Sequence, residues 1–409
     1  MSRMFQWNRG LVLALLAVSA TAVAAACTPP MPPDVLAARA EAQIECFSGD
    51  TAIGVPDSFL GSMSNVGLSL SGVCPEQTVT EVAVGDPSAR VVLTDAAPST
   101  EEIEDFKAGH CPAGEIEVVP AFGYPVTIAY NVPGLEGLVL TPEAVAGILS
   151  GSIVSLEDAM IAEENPGVDL SGLPPITLLA VDQPQGAVEA MTGWLAQQVP
   201  QVWTEGSVGT LQAATPVATH ADLLVDMTVS ESTVSVLPIF DAFINVLATA
   251  NLPVVGTDLN GSPVDIVVTA DDVQLYKVGS GATVAQVGEE GSRLTVPPAL
   301  GGIPNLETFD LASSKIVLGA DQPLAGWPVV GYAHLLVCDD PANPLPRAFA
   351  QYLVRLAGQG AMETFGLTPL PEPIRIRTFA PLKVTVNTDE PIPSGMPGES
   401  SATPAPSAT

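Results

Sequence analysis

The fold is decided by residues 130–160, which read YNVPGLEGLVLTPEAVAGILSGSIVSLEDAM, and by residues 161–170, which read IAEENPGVDL. Thr141 is suited to cap a helix, because its hydroxyl can accept a hydrogen bond from a free amide of the first turn. Pro142 is suited to the first helical position, where no amide hydrogen is needed. Val145 then begins an apolar face with helical spacing. The pattern predicts a short buried helix after Thr141.

A strand, a turn and a second helix follow. Residues 176–181 read ITLLAV, a continuous apolar run typical of a parallel strand that is covered on both faces. After the turn at residues 182–186, Val188, Met191 and Leu195 recur at helical spacing. A loop that leads from a strand into a helix directs free backbone amides towards whatever lies above it. The order therefore predicts a helix start with free amides above the end of this strand.

The order of these motifs resembles that of PstS-type phosphate-binding subunits of ABC importers. The matching positions are Asn131-Val132-Pro133-Gly134, Leu140-Thr141, Ile148-Leu149-Ser150-Gly151-Ser152-Ile153, Leu156-Glu157-Asp158 and Asn165-Pro166-Gly167. The resemblance implies an α/β, two-lobed, type II periplasmic-binding-protein-like fold with two interlobe crossings. It also implies a small-molecule ligand (phosphate, another small oxyanion or another solute) in the cleft and an ABC permease as a partner.

The resemblance extends over about residues 43–387 and implies a discontinuous first lobe. That lobe comprises residues 43–126 and 329–388, and the second lobe comprises residues 127–328. The apolar runs Glu117–Ala129 and Pro328–Val337 are expected to form the two crossings.

The composition indicates a globular protein with two lobes. The chain has 409 residues, of which 47% are hydrophobic, and this length exceeds what a single core usually supports. Its 45 acidic residues against 13 basic ones give a formal net charge of −32. That charge excludes nucleic acid and anionic membrane surfaces as partners.

The N-terminus has the pattern of an export signal. Arg3 and Arg9 precede a short apolar segment, so residues 1–26 are expected to form a cleaved signal peptide. The segment ends in Ala-Ala-Ala before Cys27, which resembles a bacterial lipobox and makes Cys27 the expected lipidated residue. We therefore expect the protein to be exported and to remain on the outer side of the cell membrane through this lipid. The alternative is ordinary cleavage, which would yield a secreted soluble protein.

The two flanks of the lobes are expected to be a linker and a tail. Residues 27–42 include a proline-rich tether behind the lipid anchor. Residues 389–409 are rich in Pro, Ser and Thr, a composition typical of disorder.

Four cysteines remain once Cys27 is set aside: Cys46, Cys74, Cys111 and Cys338. An even number in an exported protein indicates two disulfides, for which three pairings exist. We predict Cys46–Cys74, because each is expected to end a neighbouring strand of the first lobe. We predict Cys111–Cys338, because both lie near the interlobe crossings.

The sequence offers no signature of an enzyme or a metal protein. Its histidines are His110, His220 and His334, and no Cys-x-x-Cys spacing accompanies them. A nucleophile paired with a base is likewise not apparent. We expect a binding protein without a cofactor or a metal, in which the histidines are structural or exposed.

Two ligand-binding segments are expected in the first lobe. A strand at residues 44–47 and a turn at residues 48–51 are predicted, and Asp50 and Thr51 in this turn resemble the family's first ligand loop. A helix is predicted from about Pro56, and a strand at residues 67–73.

The second ligand-binding segment follows the predicted strand at residues 91–94, which would deliver Thr94 and Asp95 to the cleft. The sequence Thr94-Asp95-Ala96-Ala97-Pro98 resembles a family stretch whose carboxylate accepts a hydrogen bond from protonated phosphate. The alternative for Asp95 is a capping or turn role.

The ligand loop of the second lobe departs from the family. Val181 stands where the family has its ligand-binding arginine, and Gln185, Gly186 and Ala187 stand where it has Ser-Gly-Thr. Of the compared positions only Gly186 keeps the family residue. Loss of a charge-assisted arginine–phosphate contact should cost more than about 1.5 kcal/mol of binding free energy.

Two functions are consistent with this sequence. The first is an extracytoplasmic solute-binding lipoprotein of the phosphate-import type whose phosphate affinity is weakened or whose ligand is altered. The second is a non-transport surface or interaction protein that keeps the scaffold and has lost ligand binding.

Overall fold

The structure is a computed structural model that describes residues 33–257, 263–268, 293–294, 309–310, 327–370 and 372–384. The predicted signal peptide, the lipidation site Cys27 and the predicted tail at 389–409 lie outside the described residues.

The chain divides into two compact units. The larger unit comprises Ile44–Val384, and the other comprises Met1–Gln43 and Thr385–Thr409. Within the latter unit, Pro33–Ala42 form helix α1, so the predicted linker ends in a helix.

The larger unit alternates strands and helices. Its strands are β1 (Gly49–Gly54), β2 (Gln77–Val82), β3 (Val91–Thr94), β4 (Glu115–Asn131), β5 (Thr177–Val181), β6 (Thr215–Val217), β7 (Thr233–Pro238), β8 (Ala248–Thr249), β9 (Leu252–Thr257), β10 (Pro263–Val268), β11 (Arg293–Leu294), β12 (Phe309–Asp310) and β13 (Val330–Asp339). Its helices are α2 (Ser62–Ser71), α3 (Thr100–His110), α4 (Pro142–Leu149), α5 (Ala159–Ala162), α6 (Gly186–Gln198), α7 (His220–Val229), α8 (Ile239–Ile244), α9 (Leu345–Leu353), α10 (Leu356–Phe365) and α11 (Glu372–Arg377), with a 3₁₀ turn at Asp57–Phe59.

One mixed sheet runs through this unit in the order β2-β1-β3-β13-β4-β7-β5-β6, and β8 also pairs with β4. The long strand β4 pairs with β13 as far as Pro125 and with β7 from Val126 onwards. We call the elements on the β2-β1-β3 side the first lobe and those on the β7-β5-β6 side the second lobe. The α/β, two-lobed fold expected from the sequence is confirmed, and β4 pairs with strands on both sides, as expected of a crossing. The residue boundaries of the lobes stay predictions.

Residues 130–181 form the elements expected of them. The Thr141 hydroxyl accepts a hydrogen bond from the Ala144 amide at 3.2 Å, and Pro142 begins α4. Strand β5 pairs in parallel with both β6 and β7, as its apolar run predicts. Gly134 and Gly167 each follow a proline and have φ of 77° and 92°, a conformation that favours glycine. The backbone conformation of these two turns therefore favours glycine at positions 134 and 167 of the motifs.

Three secondary-structure predictions for the first lobe are wrong. Residues 44–47 are not a strand, and the turn predicted at 48–51 is largely the beginning of β1. Residues 67–73 belong mainly to α2, because Met63, Val66 and Leu70 bury a helical face. The alternation Leu-Ser-Leu-Ser within this segment imitates a strand, but the wider spacing of its buried residues is helical.

The second lobe has an apolar core beneath α7 and α8. Its buried members are Ala129, Leu179, Leu223, Met227, Leu237, Ala242 and Leu247, with Val181, Val217 and Leu224 packed against them. None of the helices in the described ranges is long and apolar enough to cross a membrane.

Candidate functional site

The N-terminus of α6 is the centre of the candidate site. The strand β5 ends at Val181, and α6 begins at Gly186 after a short turn. The backbone amide of Gly186 donates a hydrogen bond to Oδ2 of Asp95 at 2.7 Å. Amides in the first turn of a helix have no partner within the helix, so they commonly bind anions. In this protein the anion is a carboxylate of the chain itself.

Two local features deliver Asp95 to this position. Asp95 directly follows β3, and the hydroxyl of Thr94 donates to the carbonyl of Ala96 at 2.7 Å. Helix α3 then begins with a capping box, in which Ser99 and Glu102 each accept from the other's backbone amide. The segment that carries Asp95 is therefore fixed on both sides.

The backbones of the two lobes approach closely here. The hydroxyl of Tyr124 on β4 donates to the backbone carbonyl of Asp95. A Cβ atom at Gly186 would collide with that same carbonyl and with the Tyr124 hydroxyl. Glycine is thus required at position 186 by the close contact with Asp95 and Tyr124.

The electrostatics around Asp95 are negative. Burial raises the pKa of Asp95, the Gly186 amide opposes this rise, and the charge of Glu102 adds to it. Burial also raises the pKa of Glu189 in the first turn of α6, and the charges of Asp95 and Glu102 contribute. The sequence has no lysine or arginine between Lys107 and Lys277. The charge of His220 lowers the pKa of Asp95, so it is the one described side chain whose charge opposes the effect of the acidic neighbours on Asp95.

Two predicted ligand residues, Asp50 and Thr51, are not brought together with Asp95. Gly54 of β1 lies opposite Val92 of the parallel strand β3. In this register Asp50 lies about seven residues before the position opposite Asp95, which corresponds to roughly 20 Å along the strand direction. The Asp50 carboxylate accepts hydrogen bonds from the hydroxyls of Thr78 and Thr80 at 2.8 and 2.9 Å.

Thr51 is buried within the same strand. Its hydroxyl has no hydrogen-bond partner among the described residues. The turn that the sequence predicted at Asp50 and Thr51 would have put them at a strand end, whereas they lie near the beginning of β1.

The other predicted residues surround the start of α6. Gln185 is the N-cap residue, but its side chain makes no capping bond, and its Oε1 atom is buried without a partner among the described residues. Ala187 is buried in the first turn. Val181 packs against the apolar core under α7, so the residue at the family's arginine position contributes to packing here.

Sequence reasoning missed a second capped helix in the first lobe. The amides of Gly61 and Ser64 at the start of α2 donate to the two carboxylate oxygens of Glu81 at 2.7 and 2.6 Å. The signal in the sequence was the helical spacing of Met63, Val66 and Leu70, which locates the start of α2 after Gly61. Position 81 could not be assigned to this helix without knowing how β2 lies beside it.

Sequence reasoning also missed an aromatic cluster at the same junction. Phe59 packs edge-on against Phe122 and Tyr124, with ring centroids 5.4 and 5.0 Å apart. Across the cleft, Phe240 of α8 lies 6.0 Å from Phe59 and 5.8 Å from Phe365. The cluster joins both lobes beside Asp95.

Both predicted disulfides are confirmed. Cys46 is bonded to Cys74 and Cys111 to Cys338, with Cα atoms 5.4 and 5.3 Å apart. The reason given for the first pair is wrong in part, because Cys74 follows helix α2 and Cys46 precedes β1.

An acidic group of Glu115, Glu117 and Asp339 lies near the second disulfide. Lys383 Nζ lies 3.1, 3.9 and 2.6 Å from their respective carboxylates, and Arg347 also pairs with Asp339. Burial raises the pKa of Glu117 to about 7, Lys383 opposes this rise and Asp339 adds to it. Because two cationic side chains pair with these carboxylates, the group is an ion-pair network that holds residue 383 against β4 and β13.

The described histidines have structural surroundings. His220 Nε2 lies 3.0 Å from the carboxylate of Asp241, which links α7 to α8 within the second lobe. His334 on β13 is buried beside Thr94 of β3.

The chain is similar in structure to solved phosphate-binding proteins. The chain is similar to a high affinity periplasmic phosphate-binding protein (PfluDING) solved with bound phosphate, with a TM-score of 0.50, 13% identity, and coverage of 81% of this chain and 92% of that chain. It is also similar to the ancestral soluble variant of the human phosphate binding protein, with a TM-score of 0.50, 14% identity, and coverage of 81% and 93%. No protein-family model matches the chain. No curated protein matches its sequence.

At these identities the likeness establishes the fold, and it agrees with the motifs at residues 131–167 from which the resemblance was inferred. Both solved relatives are binding proteins. The chain has the fold of the phosphate-binding proteins.

Proposed function

We propose that the chain is an exported lipoprotein with a binding-protein scaffold, whose affinity for inorganic phosphate is far below that of a working importer subunit. The observation that supports weak affinity is the 2.7 Å hydrogen bond from the Gly186 amide to the Asp95 carboxylate. An amide that already donates to a carboxylate is not free to bind a phosphate oxygen, and this carboxylate is held there by its own chain.

Charge acts in the same direction. A phosphate dianion at the start of α6 would meet Asp95 and Glu189, and Val181 supplies no cation to offset them. At short range within a protein, like charges without compensation cost several kcal/mol. The phosphate affinity is therefore reduced both by occupation of the amide and by repulsion.

Loss of the phosphate site leaves two roles for the scaffold. An altered, uncharged solute could still be delivered to an ABC permease. A non-transport surface or interaction protein is the second candidate, and the aromatic cluster favours it because Phe59 and Phe240 fill space between the lobes.

Titration calorimetry with inorganic phosphate tests the proposal. We expect the wild-type protein to bind phosphate with a Kd well above micromolar. The variant Asp95→Asn should bind at least about tenfold more tightly, because it removes a charge worth roughly 1.4 kcal/mol or more. Asp182→Asn, an exposed acid in the same loop, is the matched control and should leave the affinity unchanged. Saturable micromolar binding by the wild-type protein would contradict the proposal.

A further inference from the structure

Among the described residues, the N-termini of two helices receive a carboxylate from a distant part of the same chain. At α2, a helix of 10 residues, the amides of Gly61 and Ser64 donate to Glu81. At α6, a helix of 13 residues, the amide of Gly186 donates to Asp95. Each carboxylate occupies the place where a bound anion would gain from free amides and from the helix dipole.

The two contacts differ in what they connect. Glu81 lies on β2, which belongs to the first lobe together with α2, so its bonds stay within one lobe. Asp95 follows β3 in the first lobe, whereas Gly186 begins α6 in the second lobe. The Asp95 bond therefore crosses the cleft, and the Glu81 bonds do not.

Other contacts support the junction at the same place. The Tyr124 hydroxyl, on the part of β4 that pairs with β13, donates to the Asp95 carbonyl and holds that residue in position from within the first lobe. The rings of Phe59 and Phe240 meet from opposite lobes at 6.0 Å. The junction thus has a hydrogen-bonded part centred on Asp95 and an apolar part centred on Phe59.

We infer that the Asp95 carboxylate is a tethered substitute for an oxyanion ligand and that it holds the two lobes closed without any free ligand. Hinged binding proteins close when a ligand satisfies groups of both lobes at once. A charged group attached to one lobe replaces that ligand at a high effective concentration. The protein consequently stays in its closed form and does not cycle between open and closed states. That Asp95 stands in the ligand's position rests on the proposed function; the closure itself does not.

The test uses the full-length protein in phosphate-free buffer, with amide hydrogen exchange and small-angle X-ray scattering as readouts. In Asp95→Ala, we expect exchange at the Gly186 amide to accelerate at least about tenfold, as loss of a charge-assisted hydrogen bond implies. The radius of gyration should also increase, because the lobes open. Asp95→Asn keeps an acceptor oxygen without the charge and should show a smaller change in the same direction.

Glu81→Ala is the matched control. It should accelerate exchange at Gly61 and Ser64 while leaving the Gly186 amide and the radius of gyration unchanged. If Asp95→Ala fails to fold, as judged by circular dichroism, Asp95→Asn decides the question. Wild-type protection of Gly186 together with a wild-type radius in the folded Asp95 variants would overturn the inference and assign closure to the aromatic cluster.

This result is separable from the phosphate measurement. Tight phosphate binding by the wild-type protein would remove the proposed function, yet the exchange experiment contains no phosphate and reports closure alone. Conversely, if scattering shows open lobes in the wild-type protein, the inference that Asp95 holds them closed is wrong. The proposal of weak phosphate binding would be unaffected by that result.

Discussion

At the scale of single residues, His334 makes stability depend on pH. Burial lowers its pKa from 6.5 to about 4, against the opposing effect of the backbone bonds to Tyr332 and Ala96. In the unfolded chain the imidazole gains a proton near pH 6.5, and in the folded protein it gains one only near pH 4. Stability from neutral His334 is therefore present at pH 7 and is lost as the pH falls between these values.

We predict that the wild-type protein loses about 2 kcal/mol of unfolding free energy through His334 between pH 7 and pH 5. His334→Gln should lack this part of the pH dependence, because glutamine does not titrate. Urea unfolding at a series of pH values measures it, with His110→Gln as the control. Parallel pH curves for the wild-type protein and His334→Gln would refute the assignment.

At the scale of secondary-structure elements, the disulfides tie helix ends to strands. Cys111 caps the end of α3 and is bonded to Cys338 in β13, with a sequence separation of 227 residues. Cys46 precedes β1 and Cys74 follows α2. Their sequence separation is only 28 residues. Closing a longer loop removes more entropy from the unfolded chain, so Cys111–Cys338 should stabilise the fold more than Cys46–Cys74.

We predict that Cys111→Ala with Cys338→Ala lowers the unfolding free energy by about 5 kcal/mol, and that Cys46→Ala with Cys74→Ala lowers it by about 4 kcal/mol. Each pair serves as the control for the other in urea unfolding under oxidising conditions. An inverted order would show that local strain, and not loop length, governs these bonds.

At the scale of the whole molecule, the mode of attachment decides where the protein works. A lipid on Cys27 would anchor a chain whose described helices do not cross a membrane. We predict that Cys27→Ser releases the protein from the membrane fraction into the medium, because stable attachment requires the acyl chains. Cell fractionation with immunoblotting measures this, and Cys46→Ser is a control that leaves Cys27 intact. A wild-type protein found only in the medium would exclude anchoring.

The sequence by itself determined the elements around residues 130–198, because their capping residues, apolar periodicity and turn glycines act between near neighbours in the chain. Thr141 caps α4, and the apolar run at 176–181 contains β5, as local chemistry dictates. It also allowed the two disulfide pairs to be predicted, although the reasoning for Cys74 used a strand that is a helix. The misassigned segment at 67–73 shows the limit of short windows, since a four-residue alternation outweighed the spacing of Met63, Val66 and Leu70.

The contact at the start of α6 depends on the packing of elements that are distant in the sequence. The sequence indicated that Asp95 and Gly186 would both face the cleft, but these residues are 91 positions apart, and either could have contacted a ligand. Their direct hydrogen bond depends on how β3 and α6 are brought together across β13 and β4, a long-range packing result that no local pattern encodes. The same holds for Glu81 at α2 and for Phe240 against Phe59, because each pair is formed by elements that meet only when the sheet is complete.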